Sequence, residues 1–353
     1  IVWFNGPGDE ISQGCSPLEG LFSEIGPYLI DSNGTLNKNN YSWNKNASLL
    51  FIESPAGVGF SYAKNQNFKT GDNKTADLNY AFLKAFFNKY PKYKKNELYF
   101  AGISYAGYTA PLLARRVLDG NKGILLGNPI LNIYLNKNMA AQFAYSHGFV
   151  DEKLWNDFKN NCCKGCVDPS NCDINFLRDE CGYMTVGIVG VLGSKRVYRY
   201  DIYRDCPLDA EIQKPGSECR YIPERAYINN YMNLEQVQNA LHALFANMTN
   251  GWSACTDLGN ILYHMEYDDI SPILKGLLNE KIRIMIYNGD TDSLNIFLTA
   301  QKIVENLGQK LTAAKQPWIF NGQIAGFKTE YGKLLTFTTI RGVGHMVGIK
   351  LII

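Results

Sequence analysis

The stretch from Glu97 to Leu118, ELYFAGISYAGYTAPLLARRVL, decides the fold. Apolar Leu98-Tyr99-Phe100-Ala101 reads as a strand, and the amphipathic run of Leu112, Leu113, Arg116 and Val117 reads as a helix. Between them Gly102-Ile103-Ser104-Tyr105-Ala106-Gly107 carries G-x-S-x-G, in which small residues on both sides let a strained turn lift a serine hydroxyl above a sheet. Ser104, at the apex of a strand, turn and helix, is therefore the candidate nucleophile.

Working outward, strands and helices alternate. Ile1-Val2-Trp3-Phe4-Asn5-Gly6 is an apolar strand entering a Gly/Pro turn, and Leu49-Leu50-Phe51-Ile52-Glu53 is another, ending at Ser54-Pro55-Ala56-Gly57. The polar, Asn-rich segment 31–48 between them reads as a hairpin or loop. Leu78, Ala81, Phe82, Ala85 and Phe86 fall at helical spacing, which predicts a helix over 77–90 that stops before Pro91. Gly123 to Pro129 is a further buried strand and turn, followed by a helical stretch to about Phe149. From 151 to 223 the chain turns cysteine-rich, glycine-rich and aromatic without alternation, as an inserted cap would. Alternation resumes with a helix over 234–245, a strand over 282–287 ending at Asn288-Gly289-Asp290-Thr291-Asp292, and a helix over 298–307. After 317–327, a last strand over 334–340 ends at Arg341-Gly342-Val343-Gly344-His345. This order implies an α/β fold with a mainly parallel sheet covered by helices on both faces. It divides the chain into a first core part (1–150), a cap (151–223) and a second core part (224–353).

The balance of 35 basic and 33 acidic residues, net charge +2, has no long basic run and excludes nucleic acid as a partner. No apolar stretch approaches the roughly 20 residues that cross a bilayer, the best candidate being the short run Gly187 to Leu192, so a soluble chain without a membrane span is expected. The chain starts at Ile1 rather than Met and shows no basic, apolar leader, which reads as a processed or partial product. Five Asn-x-Ser/Thr sequons, at Asn33, Asn40, Asn46, Asn73 and Asn247, lie in polar or turn-like segments where a glycan can be carried. Five of nine cysteines fall between Cys162 and Cys181. Zinc ligation by Cys162, Cys163, Cys166, Cys172 and Cys181 is one reading, but adjacent cysteines and irregular gaps fit disulfides better. No metal and no cofactor are therefore expected, and the odd total leaves at least one thiol unpaired.

A serine hydroxyl is a weak nucleophile and needs a base that is itself oriented by an acid. Of the four histidines, His147 ends a helix, His242 lies in the helical run Val237 to His242, and His264 sits in an aromatic polar stretch. Only His345 follows a strand in a Gly-flanked loop. Asp290 and Asp292 both follow the 282–287 strand; Asp292 is the expected acid, and Asp290 reads as a turn residue bonding its own backbone.

At these residues the chain resembles the serine carboxypeptidases, the group of cathepsin A and carboxypeptidase Y. Trp3 to Gly6, Gly20 to Pro27, Phe51 to Tyr62, Ser104 to Gly107, Tyr287 to Asp290 and Gly344 to Val347 look like that family's signature blocks, in order. The resemblance implies an α/β-hydrolase core with a cap, cleaving single residues from peptides or proteins with a free C-terminus. Ser104 would attack, His345 would move the proton, and Asp292 would hold the imidazole. Tyr105 would supply one oxyanion donor with Gly6 beside it, and Asn5, Glu24 and Met346 would contact substrate. Glu24 would have to be protonated or share a proton to hold a terminal carboxylate, which favours acidic pH and a lysosomal or secreted site. The resemblance also implies Cys15–Cys255 and Cys206–Cys219 bridges and two further bridges in the cap; a homodimer is among the assemblies open to the chain, and the sequence is silent on oligomeric state.

Three departures surround the site. The family's second glycine after the asparagine faces Pro7, which has no N–H to donate, and a short insertion follows before Gly14-Cys15-Ser16; a shifted loop using Gly8 or Gly14 would restore the donor. The family's glutamate before the serine is Ile103. After Val347 the family continues with proline and a closing helix, whereas here Gly348 to Ile353 ends the sequence. Two other readings therefore accompany active peptidase: an impaired relative that binds peptide or a partner protein, and an acyltransferase of the same fold.

Overall fold

Apolar side chains alternate along the buried strands and sort into two clusters on opposite faces of one sheet. Phe100, Ile124, Leu126, Ile284 and Ile286 join one cluster, while their neighbours Ala101, Ile103 and Tyr287 join the other. This is the period of two expected of strands covered on both sides.

The computed structural model describes residues 1–6, 13–64, 67–163, 172, 180–192, 197–206, 223–243, 251–257 and 262–349. The first half runs β1 (Val2–Phe4), β2 (Gln13–Cys15), α1 (Leu18–Ser23), β3 (Tyr28–Ile30), β4 (Leu36–Lys38), β5 (Leu50–Phe51), β6 (Thr70–Gly71), α2 (Asp72–Lys89), β7 (Leu98–Ile103), α3 (Ala106–Arg116), β8 (Asn121–Gly127) and α4 (Ile133–Ser146). Then follow α5 (Glu152–Cys162), α6 (Glu180–Leu192), α7 (Pro223–Met232), α8 (Glu235–Ala240), β9 (Cys255–Asp257), β10 (Tyr263–His264), α9 (Ser271–Asn279), β11 (Arg283–Gly289), α10 (Phe297–Asn306), β12 (Leu311–Phe320), β13 (Gln323–Tyr331) and β14 (Leu335–Ile340).

Eight strands form the main sheet in the order β12-β13-β14-β11-β8-β7-β1-β5. Only the β12–β13 and β13–β14 pairs are antiparallel; the other five pairs are parallel. This is the α/β-hydrolase arrangement, and it sets β7, which leads to Ser104, between β8 and β1. Residues of α2, α3, α9 and α10 pack on one face. The other face is covered by Ile25, from the bend after α1, and by Trp43 and Val347, which come from short helical turns rather than from long helices.

Several elements differ from expectation. α2 begins at Asp72, five residues early, because that buried carboxylate accepts hydrogen bonds from the hydroxyls of Tyr105 and Tyr263 and from the Glu266 N–H. The segment 317–327 is the tip of the β12–β13 hairpin. Two helices, α5 and α6, stand where 151–223 showed no periodicity, packing Trp155, Phe158, Ile188 and Leu192 against Met139 and Phe143 of α4. α7 has no counterpart in the sequence reading, and α8 is shorter than 234–245, leaving His242 just beyond it with φ +56°.

Cys15 bonds Cys255, Cys162 bonds Cys181, and Cys163 bonds Cys172. Those four cap sulfurs are thereby unavailable to zinc. Cys206 is also disulfide-bonded, while Cys219 and Cys166 lie outside the described residues. Among the described residues no helix is long and apolar enough to cross a membrane.

Candidate active site

The turn at Ser104 shows why its neighbours are small. Ser104 has φ +62°, a left-handed conformation that costs a non-glycine residue energy and persists only where its surroundings enforce it. Its N–H donates to Gly127 O (3.1 Å), and its carbonyl accepts from Gly107 (2.9 Å) and Ile130 (2.9 Å). A Cβ on Gly102 would lie 2.3 Å from Phe4 O, one on Gly107 2.2 Å from Ile130 O, and one on Gly6 2.4 Å from Tyr105 N. All three glycines are therefore required by close backbone approach, and Gly6 lies directly against the N–H of Tyr105.

Asp292 and His345 arrive on the loops after β11 and β14, neighbouring strands of the sheet. These loops are laced together. Gly342 N donates to Asp290 Oδ1 (2.7 Å), Thr291 N donates to Val343 O (3.1 Å), and Thr291 Oγ1 donates to Asp201 Oδ1 (2.7 Å). Asp290 is thus a tie between the two loops rather than a residue capping only its own turn. Four donors converge on the fully buried Asp292 carboxylate. Leu294 N (2.8 Å) and Asn295 N (3.2 Å) reach Oδ1, while Asn128 Nδ2 (2.7 Å) and His345 Nδ1 (2.7 Å) reach Oδ2. An imidazole that gives its Nδ1 proton to a carboxylate keeps a lone pair on Nε2. His345 is fixed further by its N–H to Tyr200 O (2.6 Å) and by the Tyr200 ring at 4.9 Å.

Ser104, Asp292 and His345 are all buried at the end of the sheet where β7, β8, β11 and β14 terminate. The hydrogen bond made by Ser104 Oγ comes from Asn295 Nδ2 at 3.3 Å; none joins Oγ to the imidazole, a link that commonly tightens only when substrate closes the site. Asn128 and Asn295 were not foreseen. Asn128 stands in the left-handed region, φ +37°, directly after β8, and Gly-Asn-Pro at a strand end was the one available hint of it. Asn295 had none.

The remaining candidates lie close by. Trp3 Nε1 donates to Asn5 Oδ1 (2.6 Å), so Asn5 has its Nδ2 to offer a ligand oxygen. Gly20 of α1 abuts Asn5, and its carbonyl accepts from Glu24 N (3.1 Å), so one helical turn joins the two residues. Glu24 is buried, and neither carboxyl oxygen has a hydrogen-bond partner among the described residues. Burial, with a smaller push from Glu19, raises its pKa from an ordinary 4.5 to about 8; the nearby Gly348 backbone opposes this only in part. Met346 is half-buried beside His345, and Ile103 is packed in the cluster of Trp3, Ile25 and Tyr287. Gly14 is paired with Thr256 in the β2–β9 ladder; Pro7 and Gly8 lie outside the described residues. Among the sequons, Asn33, Asn40 and Asn46 are exposed, whereas Asn73 is bonded to Glu266, Tyr267 and Arg116. Asn247 lies outside the described residues.

A family model described as serine carboxypeptidase matches residues 1–350. Serine carboxypeptidase-like 36 of Arabidopsis thaliana is 32% identical over 366 residues, covering 98% of this chain and 72% of that protein. Lysosomal protective protein of Mus musculus is 33% identical over 392 residues, covering 98% of this chain and 80% of that protein. Among solved structures, Kex1(delta)p, a prohormone-processing carboxypeptidase from Saccharomyces cerevisiae, aligns with a TM-score of 0.79 at 24% identity, over 99% of this chain and 79% of that one, a likeness of fold.

Proposed function

The chain belongs to the serine carboxypeptidase family and is a serine-type carboxypeptidase, and from that premise we propose that Ser104, His345 and Asp292 cleave peptides at a free C-terminus through an acyl-enzyme. Ser104 Oγ attacks the last peptide carbonyl while His345 Nε2 takes its proton. The imidazole then passes that proton to the departing amine, and water repeats the sequence to release the acyl group. Asp292 holds the Nδ1 proton and steadies the imidazolium. Tyr105 N–H, beside Gly6, donates to the oxyanion.

The observation that carries this reading is a buried serine in left-handed turn geometry at the same end of the sheet as a 2.7 Å Asp292–His345 hydrogen bond. Substrate is held at its terminal carboxylate by the Asn5 amide and by neutral Glu24, which can donate only while protonated. Recognition therefore persists through acidic pH and fades as pH rises through about 8, where Glu24 ionises and repels the terminal carboxylate. Disulfides and exposed sequons support an oxidising, lysosomal or secreted setting.

A fluorophosphonate probe tests the nucleophile: it should label Ser104 in the native protein and fail with Ser104→Ala. N-blocked dipeptides with free or amidated C-termini, assayed from pH 4 to 9, test the rest. KM for the free acid should climb above pH 8 while that for the amide does not. Equal handling of acid and amide throughout would remove the carboxypeptidase assignment of Asn5 and Glu24.

A further inference from the structure

We propose that Asn295 is a fourth working member of this site, a fixed hydrogen-bond donor to the oxygen of the nucleophile. The proposal rests on the reading of Ser104 as nucleophile. Asn295 is buried and held from three sides: its N–H donates to Asp292 Oδ1 (3.2 Å), its carbonyl accepts from Asn288 Nδ2 (3.3 Å), and its Nδ2 donates to Asn128 O (2.9 Å). The last contact settles which way the amide points. Turning it over would set Oδ1 against the Asn128 carbonyl, two acceptors with no proton between them. The second hydrogen on Nδ2 is therefore the one directed at Ser104 Oγ, 3.3 Å away.

An sp3 hydroxyl oxygen has three directions besides its bond to Cβ. Asn295 occupies one of them with an N–H that can only donate. The proton and the remaining lone pair of Ser104 are left the other two, which the chemistry needs for the imidazole and for the substrate carbon. Asn295 thus removes the resting orientations in which the hydroxyl would point its proton the wrong way. Its anchor Asn128 also donates to Asp292 Oδ2, so Asn295 stands on the acid's side of the nucleophile. The oxyanion donor Tyr105 N–H faces Gly6 instead, which separates the two roles.

The contact is of most use when Oγ carries charge. In acylation the Oγ–C bond forms as the Oγ proton moves to Nε2, and the scissile C–N bond breaks with that proton delivered to nitrogen. In deacylation water adds to the carbonyl carbon and gives a proton to Nε2, the C–Oγ bond breaks, and Oγ leaves with the electron pair until Nε2 returns the proton. Asn295 gives up no proton in either half; its N–H stabilises the departing oxygen. Charge-bearing acceptors strengthen such bonds.

The test compares native protein with Asn295→Leu, which keeps the branched shape without the donor, and Asn295→Ala, which cannot overfill the space. With a chromogenic N-blocked amino-acid ester, pre-steady-state bursts give acylation and deacylation separately. Both variants should lose at least about tenfold in the deacylation rate constant, the lower end for a hydrogen bond to a charged group. The substrate dissociation constant read from the burst phase and the pH profile of kcat should stay within twofold and half a unit of native. If the deacylation rate constant stays within twofold of native in a folded variant, the proposal is overturned. It is equally overturned if the loss appears wholly in the substrate dissociation constant, the mark of a merely structural residue. Native protein that neither labels with fluorophosphonate nor shows a burst defeats the nucleophile assignment, and this proposal with it.

Discussion

At the residue scale the site is built by steric refusal as much as by attraction. Gly6, Gly102 and Gly107 each lie where an added Cβ would collide with backbone atoms, and the two of them in G-x-S-x-G mark the turn once an apolar strand and an amphipathic helix flank it. Glu24 obeys a different rule. It is a fully buried acid, and its pKa near 8 has a consequence for stability. Above pH 4.5 the unfolded chain loses this proton while the folded chain keeps it until about 8, so the native state is progressively destabilised across that window and the contribution is intact only below it. Glu24→Gln removes the titration. Urea unfolding free energies at pH 4.5 and 8 should show the variant gaining on native protein by about 4 kcal/mol between the two; parallel curves would mean that Glu24 is ionised or hydrated in the fold. Ser104, Asp292 and His345 were legible because each ends a strand or a strained turn. Asn128 and Asn295 were not, since a buried amide acquires its role only from what surrounds it.

At the element scale, what could be read from sequence follows how each element is stabilised. β7, β8 and β11 announce themselves as apolar runs because both their faces are covered. α6 does not, because Glu180–Leu192 is apolar nearly all round and carries Gly187 and Gly190, leaving no polar stripe to set a period. The true start of α2 was hidden for a related reason: its first turn, Asp72-Asn73-Lys74-Thr75, is polar and is held by hydrogen bonds to distant residues rather than by apolar packing. That turn decides the fate of one sequon. Both hydrogens of Asn73 Nδ2 are used, one on Glu266 Oε2 and one on Tyr267 OH, while Oδ1 accepts from Arg116. A glycan on Nδ2 would replace one hydrogen and break the junction between α2, α3 and the segment that follows β10. Glycopeptide mass spectrometry of secreted, active protein should therefore find sugar at Asn33, Asn40 and Asn46 and none at Asn73. Substantial occupancy at Asn73 in active material would contradict the junction's role.

At the scale of the whole molecule, the site is assembled from opposite ends of the chain, and one covalent link spans most of that distance. Cys15–Cys255 joins β2 to β9 across a sequence separation of 240, whereas the cap bridges span 19 and 9. In the chain-entropy account a crosslink stabilises by restricting the unfolded chain, more so for a longer loop, giving about 5 kcal/mol for the long bridge and close to 3 kcal/mol less for the shortest. The link also bears on chemistry. Cys15 leads through Ser16 into α1, which carries Gly20 against Asn5 and ends at Glu24, while Glu19 of the same helix is paired with Arg225 of α7 at 2.7 Å. Freeing Cys15 therefore loosens the elements proposed to grip the substrate's carboxylate without touching Ser104, Asp292 or His345. The double variant Cys15→Ala/Cys255→Ala should show a lower urea midpoint than Cys163→Ala/Cys172→Ala. Where it remains folded, KM for a free-acid peptide should rise several-fold, with the rate of fluorophosphonate labelling held within about threefold. A labelling rate that collapses together with peptide affinity would show instead that α1 supports the nucleophile itself, and would assign the long bridge to the catalytic half of the site.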